Sequence, residues 1–242
     1  MLNIIERLID YSIEAKDGDI GNVEDLYFDD ESWTIRYLVV KTGNWFSGRK
    51  VLISPIAIGK RTGRYGTFPV ALTMEQVKNS PDIDTEKPVS RQQEAELATY
   101  YPWQNYWGTG FYPAALWGVI PSTPSINAAM IREPKIVKHP NEDLHLRSCH
   151  KVTGYHIHAS DGDIGHVNDF IMDDQTWQIA YLVIVTHNWL GGKKVMVPVL
   201  HIQRVQWEDS KVFVDMSIDA VKSSMEFDES KYRPDEIEAY AT

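Results

Sequence analysis

The chain has little cysteine, little net positive charge and no long apolar run, and each shortage excludes a class of protein. Its 242 residues include a single cysteine, Cys149, which excludes an intramolecular disulfide and a cysteine-based zinc site. A net charge of −10 argues against a nucleic-acid binder, because affinity for phosphates comes from clustered Lys and Arg. No window holds the ~18 uncharged apolar residues of a membrane-spanning helix, so we expect no transmembrane segment. Charged residues interrupt the first ten positions, unlike a secretory signal, which predicts a cytoplasmic protein.

Sequence motifs for catalysis are also missing. The chain has no Gly-x-Ser-x-Gly elbow, and the run from Gly191 to Lys194 lacks the spacing and the Ser or Thr of a phosphate-binding loop. Cys149 has no base that the sequence can assign to it. We therefore expect a protein that is not an enzyme, with no catalytic residues and no cofactor.

The feature that organises the sequence is an internal repeat at an offset of 144 residues. This offset places Asp17-Gly18-Asp19-Ile20-Gly21 on Asp161-Gly162-Asp163-Ile164-Gly165, and 21 of the 42 positions in 17–58 are identical to those in 161–202. The sequence therefore predicts two homologous units, 1–87 and 147–232. An aromatic linker, uncharged over 97–131, occupies 88–146, and an acidic tail occupies 233–242.

Within each unit the residue pattern predicts short strands joined by tight turns. In the first unit we expect strands at 8–15, 20–28, 34–42 and 49–53, and in the second also a hairpin of 201–207 with 211–216. Thr73 and Ser217 are predicted N-caps of short helices over 74–79 and 218–223, and we expect helix nowhere else. Five or six strands in about 70 residues predict an all-β fold of two small barrels, each ending in a short helix.

The run from Asp17 through Asp29-Asp30 and Tyr37-Leu38-Val39 to Ser54-Pro55 resembles the PRC-barrel domain. That domain forms the cytoplasmic part of the H subunit of the purple-bacterial reaction centre, and the C-terminal domain of a ribosome-maturation factor is similar. The resemblance implies a tandem pair of β-barrels that acts as a protein-interaction or scaffold module, in a bacterial protein of the two-copy type. The membrane helix of the H subunit and the companion domain of the ribosome factor have no counterpart, so neither specific function carries over.

Two groups of residues raise the alternative of a cation-binding or metal-binding sensor. Aspartates lie in predicted turns of both units: Asp17, Asp19, Asp29 and Asp30 in the first, and Asp161, Asp163, Asp173 and Asp174 in the second. The loops that begin at Asp17 and Asp161 lack the glycine and the glutamate that an EF-hand requires, and turn formation is the favoured interpretation for all of these aspartates. His156 and His158 would lie on one side of a strand, a spacing that a metal ion can use, although the first unit has Ser12 and Glu14 there.

The linker has the most unusual composition in the chain. Residues 97–131 contain no Asp, Glu, Lys or Arg, whereas 100–117 contain eight aromatic residues. Exposing them all would be unfavourable, because burial of each ring contributes ~1.5–3 kcal/mol. The segment either covers apolar strand positions such as Leu38, Val40, Leu182 and Ile184, or it binds a partner protein, a second copy or, peripherally, a membrane. The candidate partner-binding residues are Tyr101, Trp103, Trp107, Phe111 and Trp117.

Overall fold

The structure is a computed structural model that describes residues 1–43, 48–59, 66–81, 91–101, 146–186 and 193–232. Within these ranges the chain is mostly β, with thirteen strands in two sheets and a few short helices. The prediction of a predominantly β fold is therefore confirmed. Each homologous unit provides most of one sheet, and these are called the first and the second sheet.

The first sheet contains the short strands predicted for the first unit. They are β2 (Ser12–Ala15), β3 (Gly18–Asp29), β4 (Thr34–Thr42), β5 (Lys50–Ile53) and β6 (Thr67–Pro69). Their order is β5-β4-β3-β2-β6, and all pairs are antiparallel except the parallel pair of β2 and β6. Leu38, Val39 and Val40 are all buried, so both faces of β4 are covered, as its continuous apolar run indicates.

The second sheet repeats this arrangement. Its strands are β8 (His156–Ala159), β9 (Gly162–Asp173), β10 (Ile179–Thr186), β11 (Lys194–Pro198), β12 (Ile202–Gln206) and β13 (Lys211–Val214). The order is β11-β10-β9-β8-β13-β12, with β8 and β13 again parallel. The predicted β12–β13 hairpin is thus confirmed, and the strand order is equivalent to that of the first sheet.

The predicted helix caps are present in both units. Thr73 Oγ1 accepts a hydrogen bond from the Gln76 amide at the start of α1 (Met74–Lys78), and Ser217 Oγ caps α4 (Ile218–Lys222) in the same way. The turn aspartates add a second bond to each helix. Asp17 accepts from the Met74 amide at 2.8 Å and Asp161 from the Ile218 amide at 2.7 Å, so these carboxylates fasten the first turn of each unit to its helix.

Two further strands, which the repeat pattern did not predict, connect the units. Strand β1 (Leu2–Ile4) pairs with β9 of the second sheet, and β7 (Leu146–Ser148) pairs with β3 of the first sheet. Leu2 lies opposite Asp173, and Leu146 lies opposite Asp29. Because both residues and both partners are related by the 144-residue offset, the two units exchange equivalent strands in the same register.

The expected strand at 8–15 is wrong in its first half. Residues 5–8 form a 3₁₀ turn instead, in which Ile5 and Leu8 are buried, and the strand begins at Ser12. The turn carries the chain from the second sheet, where β1 lies, to the first sheet. The alternating apolar residues that predict a strand here thus belong to a crossing between two sheets.

The expectation of helix only at the end of each unit is also wrong. Helix α2 (Arg91–Tyr100) occupies the start of the predicted linker, and the one-turn helix α3 (Cys149–Val152) follows β7. Glu94, Leu97, Ala98 and Tyr101 are buried at intervals of three and four residues, which is the spacing of one helix face. The sequence therefore contains the residue spacing that predicts α2.

A single hydrophobic core extends through both units. The rings of Phe28 and Phe170 lie 5.6 Å apart between their centroids, and those of Phe68 and Trp177 lie 5.9 Å apart, so aromatic contacts join the two sheets. One buried cluster includes side chains of both sheets. The exchange of strands thus accompanies a shared core rather than two separate ones.

We expect alanine at Gly21 or Gly165 to destabilise the protein severely. A Cβ at either position would lie 1.9 Å from a backbone carbonyl oxygen, that of Lys41 or of Val185, because the glycines let neighbouring strands approach closely. Each substitution should lower the free energy of unfolding by roughly 2–4 kcal/mol, measured by urea denaturation. Gly59→Ala is the control, since its Cβ would meet only ordinary contacts, the nearest at 3.6 Å. Equal stability of all three variants would contradict the close approach.

Candidate functional site

The junction between the two units is built from equivalent residues of both copies of the repeat. Strand β2 pairs with the beginning of β3, β7 pairs with Tyr27–Asp29 at its end, and β4 occupies the other edge. Strands β8, β1 and β10 surround β9 in the same way. Each exchanged strand therefore completes an edge that would otherwise leave backbone N–H and C=O groups unpaired.

Reciprocal polar contacts reinforce the junction. The Ile35 amide donates to the Trp177 carbonyl at 2.8 Å, and the equivalent Ile179 amide donates to the Trp33 carbonyl at 2.7 Å. Side chains on the exchanged strands bind the Asp-Asp turn of the opposite unit. Asn3 donates to Asp174 at 2.9 Å, and Arg147, at the equivalent position, forms an ion pair with Asp30.

The acidic turns are thus used by the fold. Asp29 accepts hydrogen bonds from two amides of its own turn, and Asp173 does so in the second unit. Within the described ranges, no three His, Cys, Asp or Glu side chains come together as metal ligands would. Of the carboxylates that raised the cation hypothesis, Asp17, Asp29, Asp161 and Asp173 accept hydrogen bonds from backbone amides.

Two equivalent carboxylates lie where the chain crosses between the sheets. Asp25 accepts from the His150 amide at 3.0 Å at the start of α3, and also from the Ser148 hydroxyl. Asp169 accepts from the Glu6 amide at 3.3 Å, at the start of the 3₁₀ turn, and from the Phe170 amide at 2.6 Å. Each carboxylate therefore holds the first turn of the segment that leaves the exchanged strand.

The two carboxylates differ in their electrostatics. Burial raises the pKa of Asp169 to about 7, although the amides of Phe170 and Glu6 oppose the rise. Burial also raises the pKa of Asp25, but the Ser148 hydroxyl stabilises its charged form. The first unit has Ile4 where the second has Ser148, and Ile4 offers no side-chain donor. The Ser148 hydroxyl is thus one source of the asymmetry, and the charges nearby, Glu6 beside Asp169 and His150 beside Asp25, are another.

Cys149 lies beside this pair and is fully buried. Burial raises the pKa of its thiol well above the ordinary value, and the negative charges of Asp25 and Asp169 raise it further. A thiolate is the nucleophilic form of cysteine, so this environment disfavours nucleophilic chemistry at Cys149.

His156 and His158 lie on the outer face of β8, as the sequence predicts. His158 Nδ1 is 2.6 Å from Asp163 Oδ1, and the His158 ring contacts Phe213 edge-on at 5.1 Å. His156 lies opposite His166 of β9 in the strand register. The structure therefore places both predicted residues on one face, where His158 has an acidic and an aromatic neighbour.

Of the five candidate partner-binding aromatics, the described residues include Tyr101. It lies in the core at the end of α2, and burial raises its pKa to about 12. The Tyr37 hydroxyl of β4 donates to Glu94 of α2 at 3.4 Å, so this helix packs on the first sheet. Trp103, Trp107, Phe111 and Trp117 lie outside the described residues.

The outer face of β10 in the second sheet is also covered, as α2 covers β4 in the first sheet. Val183 clusters with Ile171 and Met196 beneath Phe227 and Tyr232, whose rings stack at 5.6 Å. Leu182 and Ile184, for which a linker cover was expected, instead belong to the main core. In the second unit the residues after α4 therefore provide the cover for the outer face of β10.

Asp25 and Asp169 were not predicted as site residues from the sequence. A signal was available, because both are aspartates at equivalent positions among buried strand residues. A buried carboxylate needs hydrogen-bond donors, and conserved charge across the repeat at such a position indicates a structural role for it. What the repeat could not show is that the donors come from the segments that follow β1 and β7.

Comparison with known proteins identifies the repeated unit. The model of the PRC-barrel domain family matches residues 5–66 and again residues 147–220. A protein of Deinococcus radiodurans, described as uncharacterized, is 35% identical over 71 residues, which are 29% of this chain and 25% of that protein. The matched stretch thus spans about a quarter of the length of this curated relative. None of the helices in the described ranges combines the length and apolar composition of a membrane span.

We expect Asp169→Asn to stabilise the protein in a pH-dependent way. A folded-state pKa raised from 3.8 to about 7 means that Asp169 favours folding when protonated, and that this stability is fully present below about pH 4 and is lost as the pH rises from there through 7. At about pH 8 the variant should gain roughly 1–3 kcal/mol in the free energy of unfolding, whereas near pH 4 it should gain little. Asp25→Asn is the matched control and should gain less. Equal gains at both pH values would contradict this account.

Proposed function

Because the chain belongs to the PRC-barrel family, with two copies of the domain in tandem, we propose that it is a non-enzymatic interaction module that holds a partner-binding segment on a rigid platform. In this proposal each sheet closes into a small barrel, and the protein works in the cytoplasm of a bacterium. The parallel pairs β2–β6 and β8–β13 favour closure, because they bring the last part of each unit back to its beginning.

The observation that carries the proposal is the reciprocal strand exchange. Separate domains on a linker move relative to each other unless their interface is extensive. Here each sheet contains a strand of the other unit, and one core extends through both. A body of this kind presents its surfaces at fixed positions, which is the property a scaffold requires.

The aromatic segment is the proposed partner-binding region, from Trp103 to Trp117. Its first aromatics, Tyr100 and Tyr101, belong to α2, and Tyr101 is buried in the core. The positions that the linker was expected to cover, among them Leu38 and Leu182, lie in the core cluster of the described residues. This favours a division in which Tyr101 stabilises the first unit and the later aromatics contact a protein partner or a second copy.

We expect replacement of residues 102–131 by a Gly/Ser linker of equal length to separate these roles. Melting should be nearly unchanged, because α2 and Tyr101 remain, whereas self-association or capture of a partner should be lost. Light scattering after gel filtration and pull-down from native lysate with mass spectrometry provide the measurements. Tyr101→Ala is the comparison variant, and it should cost roughly 2–4 kcal/mol of stability, since it removes a buried ring.

Two results would contradict the proposal. A large loss of stability on replacing 102–131 would show that these aromatics cover the fold. Unchanged association of the same variant would show that partners bind elsewhere on the protein.

A further inference from the structure

Each unit of the protein is incomplete without the other. Strand β1 of the first unit pairs with β9, and β7 of the second unit pairs with β3. The ring contact of Phe28 with Phe170 and the reciprocal bonds of the Ile35 and Ile179 amides also join the units. All of these contacts link a first unit to a second unit, and none of them requires that both units belong to the same chain.

The chain between the two units has to cross the first sheet from one end of β4 to the other. It leaves from Tyr101, which lies close enough to Arg49 for that cation to act on its hydroxyl, and the Arg49 carbonyl binds the last residue of β4. It arrives at Leu146, opposite Asp29, which pairs with the first residue of β4. Because β4 is nine residues long, the connection crosses roughly 20–25 Å.

The connecting segment, residues 102–145, is much longer than this distance requires. It contains 44 residues, and a chain of that length can reach about 150 Å at most. A connection of this kind holds the two units at an effective concentration in roughly the millimolar range. The second unit of another copy can therefore compete with the unit in the same chain as the protein concentration approaches that range.

We propose that two copies of this chain also join through the junction, so that the first unit of each copy closes on the second unit of the other. Such a dimer is closed, because each copy gives one unit to each of the two bodies and both junctions are used. Each body keeps the contacts of the monomer, so the dimer needs no additional surface. The dimer also carries two aromatic segments, which raises its avidity for a partner with two binding sites, and this consequence alone rests on the proposed function.

The side chains at the junction favour a second copy over an unrelated extended strand. Arg147 of β7 forms an ion pair with Asp30, and the Ser148 hydroxyl and the His150 amide donate to Asp25. An unrelated segment could supply the backbone hydrogen bonds of β7, but it would leave the desolvated carboxylate of Asp25 without these donors. The second unit of another copy supplies all of them.

The test shortens the connecting segment in the otherwise complete chain. Deletion of residues 103–144 leaves Pro102 and His145 between Tyr101 and Leu146, a connection that reaches about 11 Å at most. The two units of one chain can then no longer meet, so the variant should sediment as a dimer at micromolar concentration. The matched control replaces the same 42 residues by a Gly/Ser sequence of equal length, and it should sediment as a monomer there.

Nuclear Overhauser effects between isotope-labelled and unlabelled chains identify the surface that joins the copies. In the dimer of the shortened variant, contacts of Asn3 with Met172 and of Arg147 with Phe28 should appear between chains. Wild-type chains that are refolded together at about 1 mM should contain a dimer fraction with the same contacts between chains, whereas refolding at about 10 µM should give almost entirely monomer.

Three results would overturn the proposal: a folded monomer of the shortened variant, a dimer of it with these contacts only within chains, or wild type that stays monomeric after refolding at about 1 mM. If the shortened variant does not fold, the mixed wild-type sample decides, and absence of contacts between chains there contradicts the proposal. The Gly/Ser control lacks the aromatic segment but keeps the junction. Its dimerisation at high concentration therefore tests the junction, whereas its capture of partners at micromolar concentration tests the proposed function.

Discussion

The pairing of each unit's first strand with the other unit's sheet is the constraint on which the rest of the structure depends. β1 and β7 each complete the edge of a long strand in the opposite sheet, and both do so in equivalent register. The strands can be in place only when both units are folded against each other. Stability of one unit is therefore coupled to that of the other, and the chain behaves as one body with a pseudo-two-fold arrangement.

The exchange also explains why the acidic residues of the repeat are where they are. Asp30 and Asp174 bind side chains of the incoming strands, while Asp25 and Asp169 bind the turns that follow these strands. Asp30 and Asp174, which were candidates for a cation site, thus serve the junction. The units differ in the last residue of each exchanged strand, which is Ile4 in β1 and Ser148 in β7, and in the side chains on the outer face of the second sheet.

Much of this fold could be predicted from the sequence, because local signals determine it. The repeat, the turn aspartates and the N-caps Thr73 and Ser217 predicted most of the strands and the terminal helices. The exchange could not be predicted, since the pattern of β1 and β7 is the same whichever sheet they join. Helix α2 was not predicted, although its buried residues Leu97, Ala98 and Tyr101 follow helical spacing. His156 and His158 were located on the correct face, but their neighbours Phe213 and Arg204 come from strands whose register only the structure shows.

Backbone nuclear Overhauser effects in the monomeric full-length protein test the exchange most directly. We expect contacts between Asn3 and Met172 and between Arg147 and Phe28, which face each other across the exchanged pairs. Contacts of Asn3 with Phe28 and of Arg147 with Met172 would instead show that each unit keeps its own first strand. That result would contradict the account of a single coupled body.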